Sequence, residues 1–326
     1  MKLEEERMKR RIGVSIALLL SLSMFTALIG TAFASEREPF EEGGKGPIVV
    51  ASKIDTEGAV LGQMIILMLN ANGFDTVDKV QFGTTDVIRK AIFSGEIDLY
   101  PEYTGNGGFF YDGTDPAIWK DPVRGYEEVK KLDRDAHNIV WLTPSPANNT
   151  WALAIRGDVA KAEGIRTLDD FAKWVNAGAK VKVAGCEEFV SRPDALPAFE
   201  NAYGFKIRKE QLLVFSGCNT AQTEKAAADG TDGVNVAMAF GTDGQLAALG
   251  LWVLEDTVGV QPYYQPTPII RGELYDQYPE IEDILHPVFR SLDLVTLQTL
   301  NAQVAIEGQP ASDVAARYLE QEGFLK

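Results

Sequence analysis

The chain has 326 residues, 24% of them charged and 45% hydrophobic, with 31 Lys and Arg against 47 Asp and Glu for a formal net charge of −16. So acidic a surface repels polyanions, which excludes nucleic acid and anionic lipid as natural partners. Two cysteines and two histidines, with His137 and His286 far from both cysteines and from each other, make a metal site unfavoured, and no cofactor is expected.

Lys9, Arg10 and Arg11 precede an uncharged, predominantly apolar run over residues 12–29, which leads to Ala32-Phe33-Ala34 before the polar Ser35-Glu36-Arg37-Glu38. A positive segment, an apolar segment and an A-x-A site read as a cleaved secretory signal peptide over residues 1–34. The rival is an uncleaved N-terminal anchor, because the run approaches the roughly 20 residues of a bilayer span. No cysteine directly follows that run, so a lipid-anchored N-terminus is not expected, and the mature protein belongs in the periplasm or another extracytoplasmic space. Without residues 1–34 the chain keeps 26 basic and 44 acidic residues, a net charge near −18, and about 290 residues, enough for two lobes.

Residues 35–46 read as a charged, glycine-rich flexible leader. Ile48-Val49-Val50-Ala51 is then a buried strand, Thr56 an N-cap, and Val60, Leu61, Met64, Ile65, Leu67, Met68 and Leu69 the apolar positions of a helix closed by Asn72-Gly73. Strands around Val80-Gln81-Phe82 and Ile97-Asp98-Leu99-Tyr100 flank a helix through Val87, Ile88 and Ala91, and the second of these strands ends at Pro101. The pattern restarts with strands at 151–155, 181–184, 212–215 and 234–239, a capping box at 167–170 and a helix over 220–228. A strand at 251–254 follows, and the rest reads as helices. Alternating strands and helices predict parallel, two-sided sheets.

Ligand crevices in such sheets lie beyond the carboxyl ends of the strands, which selects residues 53–56, 83–86, 100–105 and 240–243. No histidine lies in these segments, so a Ser/His/Asp arrangement is not supplied, and no G-x-x-x-x-G-K-[ST] loop is present. Asp98 and Glu102 could form an acid/base pair in one cleft, or merely cap and solvate. Aromatic residues are better supplied: Tyr100, Tyr103, Trp151, Phe240, Tyr263 and Tyr264 lie at strand ends or near crossings. A cage of aromatic faces holds a methylated ammonium at roughly 0.5–2 kcal/mol per ring. Taken singly, each ring is as well explained by core packing. The even cysteine count suggests one disulfide between Cys186 and Cys218 in an oxidising compartment, with two buried thiols as the alternative.

Ser52-Lys53-Ile54-Asp55-Thr56-Glu57, Phe82-Gly83-Thr84-Thr85 and above all Gly95-Glu96-Ile97-Asp98-Leu99-Tyr100-Pro101-Glu102-Tyr103-Thr104-Gly105 resemble the glycine betaine/choline-binding proteins of osmoprotectant ABC importers. The resemblance continues through residues 148–156, 192–197 and 239–243 and spans nearly the whole mature chain. It implies an α/β, two-lobed periplasmic-binding-protein fold of type II, with residues 47–152 and 247–326 as one lobe, residues 153–246 as the other, and a two-strand hinge. It further implies a quaternary amine as ligand, ABC permease subunits as partners and a monomeric state. By resemblance, Asp98, Tyr100, Tyr264 and Phe240 surround the trimethylammonium group, with Trp151 as a further ring. Lys53, Thr84 or Thr85, and Arg192 face a carboxylate, where the ligand has one. Arg192 could instead be spent on a salt bridge to Asp194 or Glu187. The family often has Tyr where this chain has Phe240 and Trp151, so cage shape and ligand preference stay open. An enzyme or sensor domain on the same scaffold is the alternative reading.

Overall fold

The computed structural model describes residues 45–325, so the expected signal peptide and nearly all of the leader lie outside the described residues. In chain order the strands are β1 Lys45–Lys53, β2 Phe74–Gly83, β3 Leu99–Tyr103, β4 Ile139–Trp141, β5 Trp151–Arg156, β6 Val183–Cys186, β7 Leu212–Phe215, β8 Val236–Phe240, β9 Leu251–Val253 and β10 Pro266–Arg271. They form two five-stranded sheets, β2-β1-β3-β10-β4 and β7-β6-β8-β5-β9.

β1 starts inside the expected leader. Lys45 pairs with Phe74, and Gly46 runs so close to β2 that a Cβ there would stand 2.4 Å from the Asp75 carbonyl oxygen. The apolar run of β1 leads into the Thr56–Ala71 helix, whose N-cap is Asp55 rather than Thr56, since the Asp55 carboxylate accepts from the Gly58 amide at 2.7 Å. That helix buries Leu61, Met64, Ile65 and Leu69 against the first sheet and against the Glu280–Ser291, Leu294–Ala305 and Ala311–Gln321 helices. The second sheet has its own core around Leu153, Phe171, Val183, Phe189, Phe199 and Met238. The Leu168–Asn176 helix opens with the expected capping box of Thr167 and Asp170.

Two expectations about the sheets are corrected. They are mixed rather than parallel, because β10 runs antiparallel to β3 and β4 and β5 antiparallel to β8 and β9. β10 itself lies in a stretch read as helical. Its Pro266 and Pro268 argue against a central strand, since proline cannot donate to a ladder. The strand forms nevertheless, with the carbonyls of Pro266 and Pro268 accepting from Ser145 and Leu142.

The chain passes between the sheets at residues 142–150 and 254–265. Strand pairing places Trp151 and Leu251–Val253 in the second sheet. The two crossing segments bond to one another, Asn149 N to Tyr264 O and Tyr264 N to Asn148 Oδ1, each at 2.9 Å. Beside them, Gly244 packs on the Leu294–Ala305 helix so tightly that a Cβ would fall 1.7 Å from the Gln298 carbonyl oxygen. Cys186 at the end of β6 and Cys218 form a disulfide, with Cα atoms 5.1 Å apart. Among the described residues no helix is long and apolar enough to cross a membrane.

Candidate functional site

The strand ends of both sheets converge on a cavity of about 40 Å³. β1 delivers Lys53 and, just beyond it, Asp55; the turn after β2 delivers Thr84 and Thr85; β3 delivers Tyr103 and then Asn106. The crossing segments add Asn149 and Tyr264. From the second sheet come Trp151 at the start of β5, Phe240 at the end of β8, and Glu188, Arg192 and Cys218 around the disulfide.

One wall is aromatic. Trp151 and Phe240 are cross-strand partners with ring centroids 4.6 Å apart, and Phe189 lies 5.3 Å behind Trp151. Tyr103 and Tyr264 are buried in the same cluster. Their hydroxyls donate to carboxylates, Tyr103 to Glu57 at 2.9 Å and Tyr264 to Asp194 at 3.3 Å. Burial and these carboxylates push both phenols well above their ordinary range, so both remain neutral donors.

The other wall is charged and internally paired. Lys53 Nζ donates to Glu102 Oε1 at 2.6 Å and lies 4.8 Å from the Tyr103 ring centroid. Glu102 Oε1 also accepts from Tyr103 N and Asn106 Nδ2. Burial alone would raise the Glu102 pKa, but the Lys53 ammonium and these donors hold it below its ordinary value. Arg192 is 4% exposed and gives its fork to Asp194 through Nε at 2.9 Å and Nη2 at 2.5 Å, Nη1 to Glu188 at 2.8 Å and a further Nη2 contact to Asn106. The salt-bridge alternative for Arg192 is therefore realised, with Glu188 in place of Glu187. Burial raises the Asp55 carboxyl.

Seven of the nine expected ligand residues line this cavity: Lys53, Thr84, Thr85, Trp151, Arg192, Phe240 and Tyr264. Asp98 and Tyr100 do not. Asp98 is spent at the sheet, accepting from the Val49 amide at 2.9 Å and from Arg271 at 3.1 Å. Tyr100 is fully buried in a separate core with Trp119 and Trp141, its hydroxyl on Glu102. The reason is strand parity: residues 98, 100 and 102 share a face, and 103 points to the other. Tyr103 replaces Tyr100 at the cavity, and alternation within β3 is the signal that could have selected it. Asp55 comes from a helix cap, Asn106 from a single 3-10 turn, Asn149 from a crossing segment and Glu188 from a five-residue helix, all too short for a periodic signal. Tyr263, Asp98 and Glu102 lie outside the lining. Among the described residues no group of His, Cys, Asp and Glu is arranged to hold a metal ion.

Residues 46–321 match the family described as the substrate binding domain of ABC-type glycine betaine transport systems. The chain is 54% identical over 280 residues to the glycine betaine-binding protein YehZ of Escherichia coli (strain K12), covering 86% of this chain and 92% of that one. It is 30% identical over 329 residues to the ergothioneine transport permease/ergothioneine binding protein EgtU of Helicobacter pylori (strain G27), covering 98% of this chain and 54% of that one. A solved structure described as a glycine betaine/carnitine/choline ABC transporter superposes with a TM-score of 0.66 at 19% identity, covering 86% of this chain and all of the other. The fold is the type II periplasmic-binding-protein fold. The chain belongs to the family of substrate-binding domains of ABC-type glycine betaine importers.

Proposed function

We propose that the protein captures a small quaternary-ammonium osmolyte, such as glycine betaine or choline, between its lobes and hands it to the permease subunits of an ABC importer. The observation that carries this reading is the convergence of Tyr103, Trp151, Phe240 and Tyr264 on one buried cavity. A methylated ammonium offers no hydrogen bond, so aromatic faces are the groups that recognise it. Two similar proteins are named for glycine betaine and ergothioneine, which both carry a trimethylammonium group, and the second is also named a permease.

Lys53, Thr84, Thr85 and Arg192 frame the polar end. Both cations already have carboxylate partners, so a ligand carboxylate is accommodated rather than required. Closure of the lobes follows from a higher affinity of the closed form for the ligand. The protein works as an exported, extracytoplasmic monomer that turns nothing over. Isothermal titration with glycine betaine, choline and proline tests the reading. Saturable binding of either amine with no response to proline is expected; heat from proline alone, or no heat from either amine, would sink it.

A further inference from the structure

Glu57 lies in the first turn of the Thr56–Ala71 helix, 4% exposed and outside the cavity lining. Its carboxylate nevertheless gathers three segments. Oε1 accepts from Tyr103 Oη at 2.9 Å and from Asn149 Nδ2 at 2.8 Å, and Oε2 accepts from Asn301 Nδ2 at 2.9 Å. Tyr103 and Asn149 are cavity walls. Asn301 belongs to the Leu294–Ala305 helix and also donates to Thr242 O, while Gln298 of the same helix donates to Gly241 O. That turn directly follows Phe240, a wall from the other sheet.

We propose that Glu57 is a positioning residue for the ligand cavity, its carboxylate locking Tyr103 and Asn149 in place and, through Asn301, tying them to the turn that carries Phe240. The inference rests on the reading of this cavity as a quaternary-amine site. Three donors converge on the carboxylate, which suits the ionised form. Protonation adds a donor near the amide oxygens of Asn149 and Asn301 and the Thr242 hydroxyl, buried atoms with no other hydrogen-bond partner. Turning either amide over to present its oxygen gives up an Nδ2 contact to Glu57 and, for Asn301, the link to Thr242 O.

Burial, with Asp55 adding to it, pushes the Glu57 carboxyl up to about 7, so the lock titrates near neutrality. The charged and titratable groups facing it are Asp55 at the cap of its own helix and Tyr103 from β3. Asp243, beyond Thr242, lies near Asp55; Lys53, also near Asp55, is neutralised by Glu102. A cation entering the cavity favours the ionised carboxyl, so cation binding releases a proton and strengthens as pH rises.

Choline titrated into the wild type and Glu57→Gln at pH 6 and pH 8 tests this. Wild-type affinity is expected to be roughly fivefold higher at pH 8, within the tenfold that one pKa unit allows, and the Gln variant to show no such rise. The same pH ratio in both proteins would overturn the proposal. If the wild type binds no amine, the reading of the cavity fails while this proposal is still decided, by hydrogen exchange in the ligand-free protein. Glu57→Gln should accelerate exchange of the backbone at 147–151 and 240–244 relative to β6, and unchanged exchange there would overturn it.

Discussion

The two walls of the cavity hold their side chains by different means. The aromatic wall is made of core residues that stop at a surface: Trp151 and Phe240 stand in register on adjacent strands, and their faces need no partner to be stable there. The charged wall is made of ions that satisfy one another, Lys53 with Glu102 and Arg192 with Asp194 and Glu188. Burying an ion costs several kcal/mol unless it is paired, so nothing on this wall is free to wait for a ligand. On the reading proposed above, the rings recognise the ligand and the ions set the shape of the site.

That division can be broken experimentally. The largest expected effect falls on the charged side, where the disulfide fastens the Glu188 and Arg192 segment to Cys218 across 32 residues. Reduction, or replacement of both cysteines by serine, should cost about 3.5 kcal/mol of stability by loop entropy, read from denaturant unfolding. An unchanged midpoint would mean that the charged wall is held without it.

Next comes Trp151→Ala, which should weaken choline binding by about 2 kcal/mol, roughly 30-fold, while Tyr100→Phe stays within about twofold. Equal losses in titration would restore Tyr100 to the site and undo the parity argument. Smallest is Arg192→Gln. With its guanidinium already committed, the glycine betaine and choline affinities should fall together, to within about threefold of each other, whereas a direct bond to the ligand carboxylate would cost glycine betaine about 1.5–3 kcal/mol more than choline.

Most of the first sheet was legible because its signals are local. The apolar run of β1 and the apolar positions of the Thr56–Ala71 helix each lie within one stretch of chain, as does the Thr167–Asp170 box beside the second sheet. β10 was not legible, since Pro266 and Pro268 speak against a strand until Ser145 and Leu142 supply donors from 120 or more residues away. The candidate site divides the same way. Thr84 and Thr85 could be chosen because they follow a strand end, but Glu57 carries no signal of its own. Its role appears only when Tyr103, Asn149 and Asn301 are brought to it.

By itself, then, the sequence determined the α/β class, the family, the pairing candidates Cys186 and Cys218, and the segments that meet at the cavity, because periodicity, caps and motifs are written in neighbouring residues. Only the tertiary structure decided that Tyr103 rather than Tyr100 faces the cavity, that Asp98 is spent on Val49 and Arg271, and that both cavity cations are already paired. These outcomes depend on strand parity within a folded sheet and on burial, where a charge must find its partner from whichever distant segment the fold places beside it.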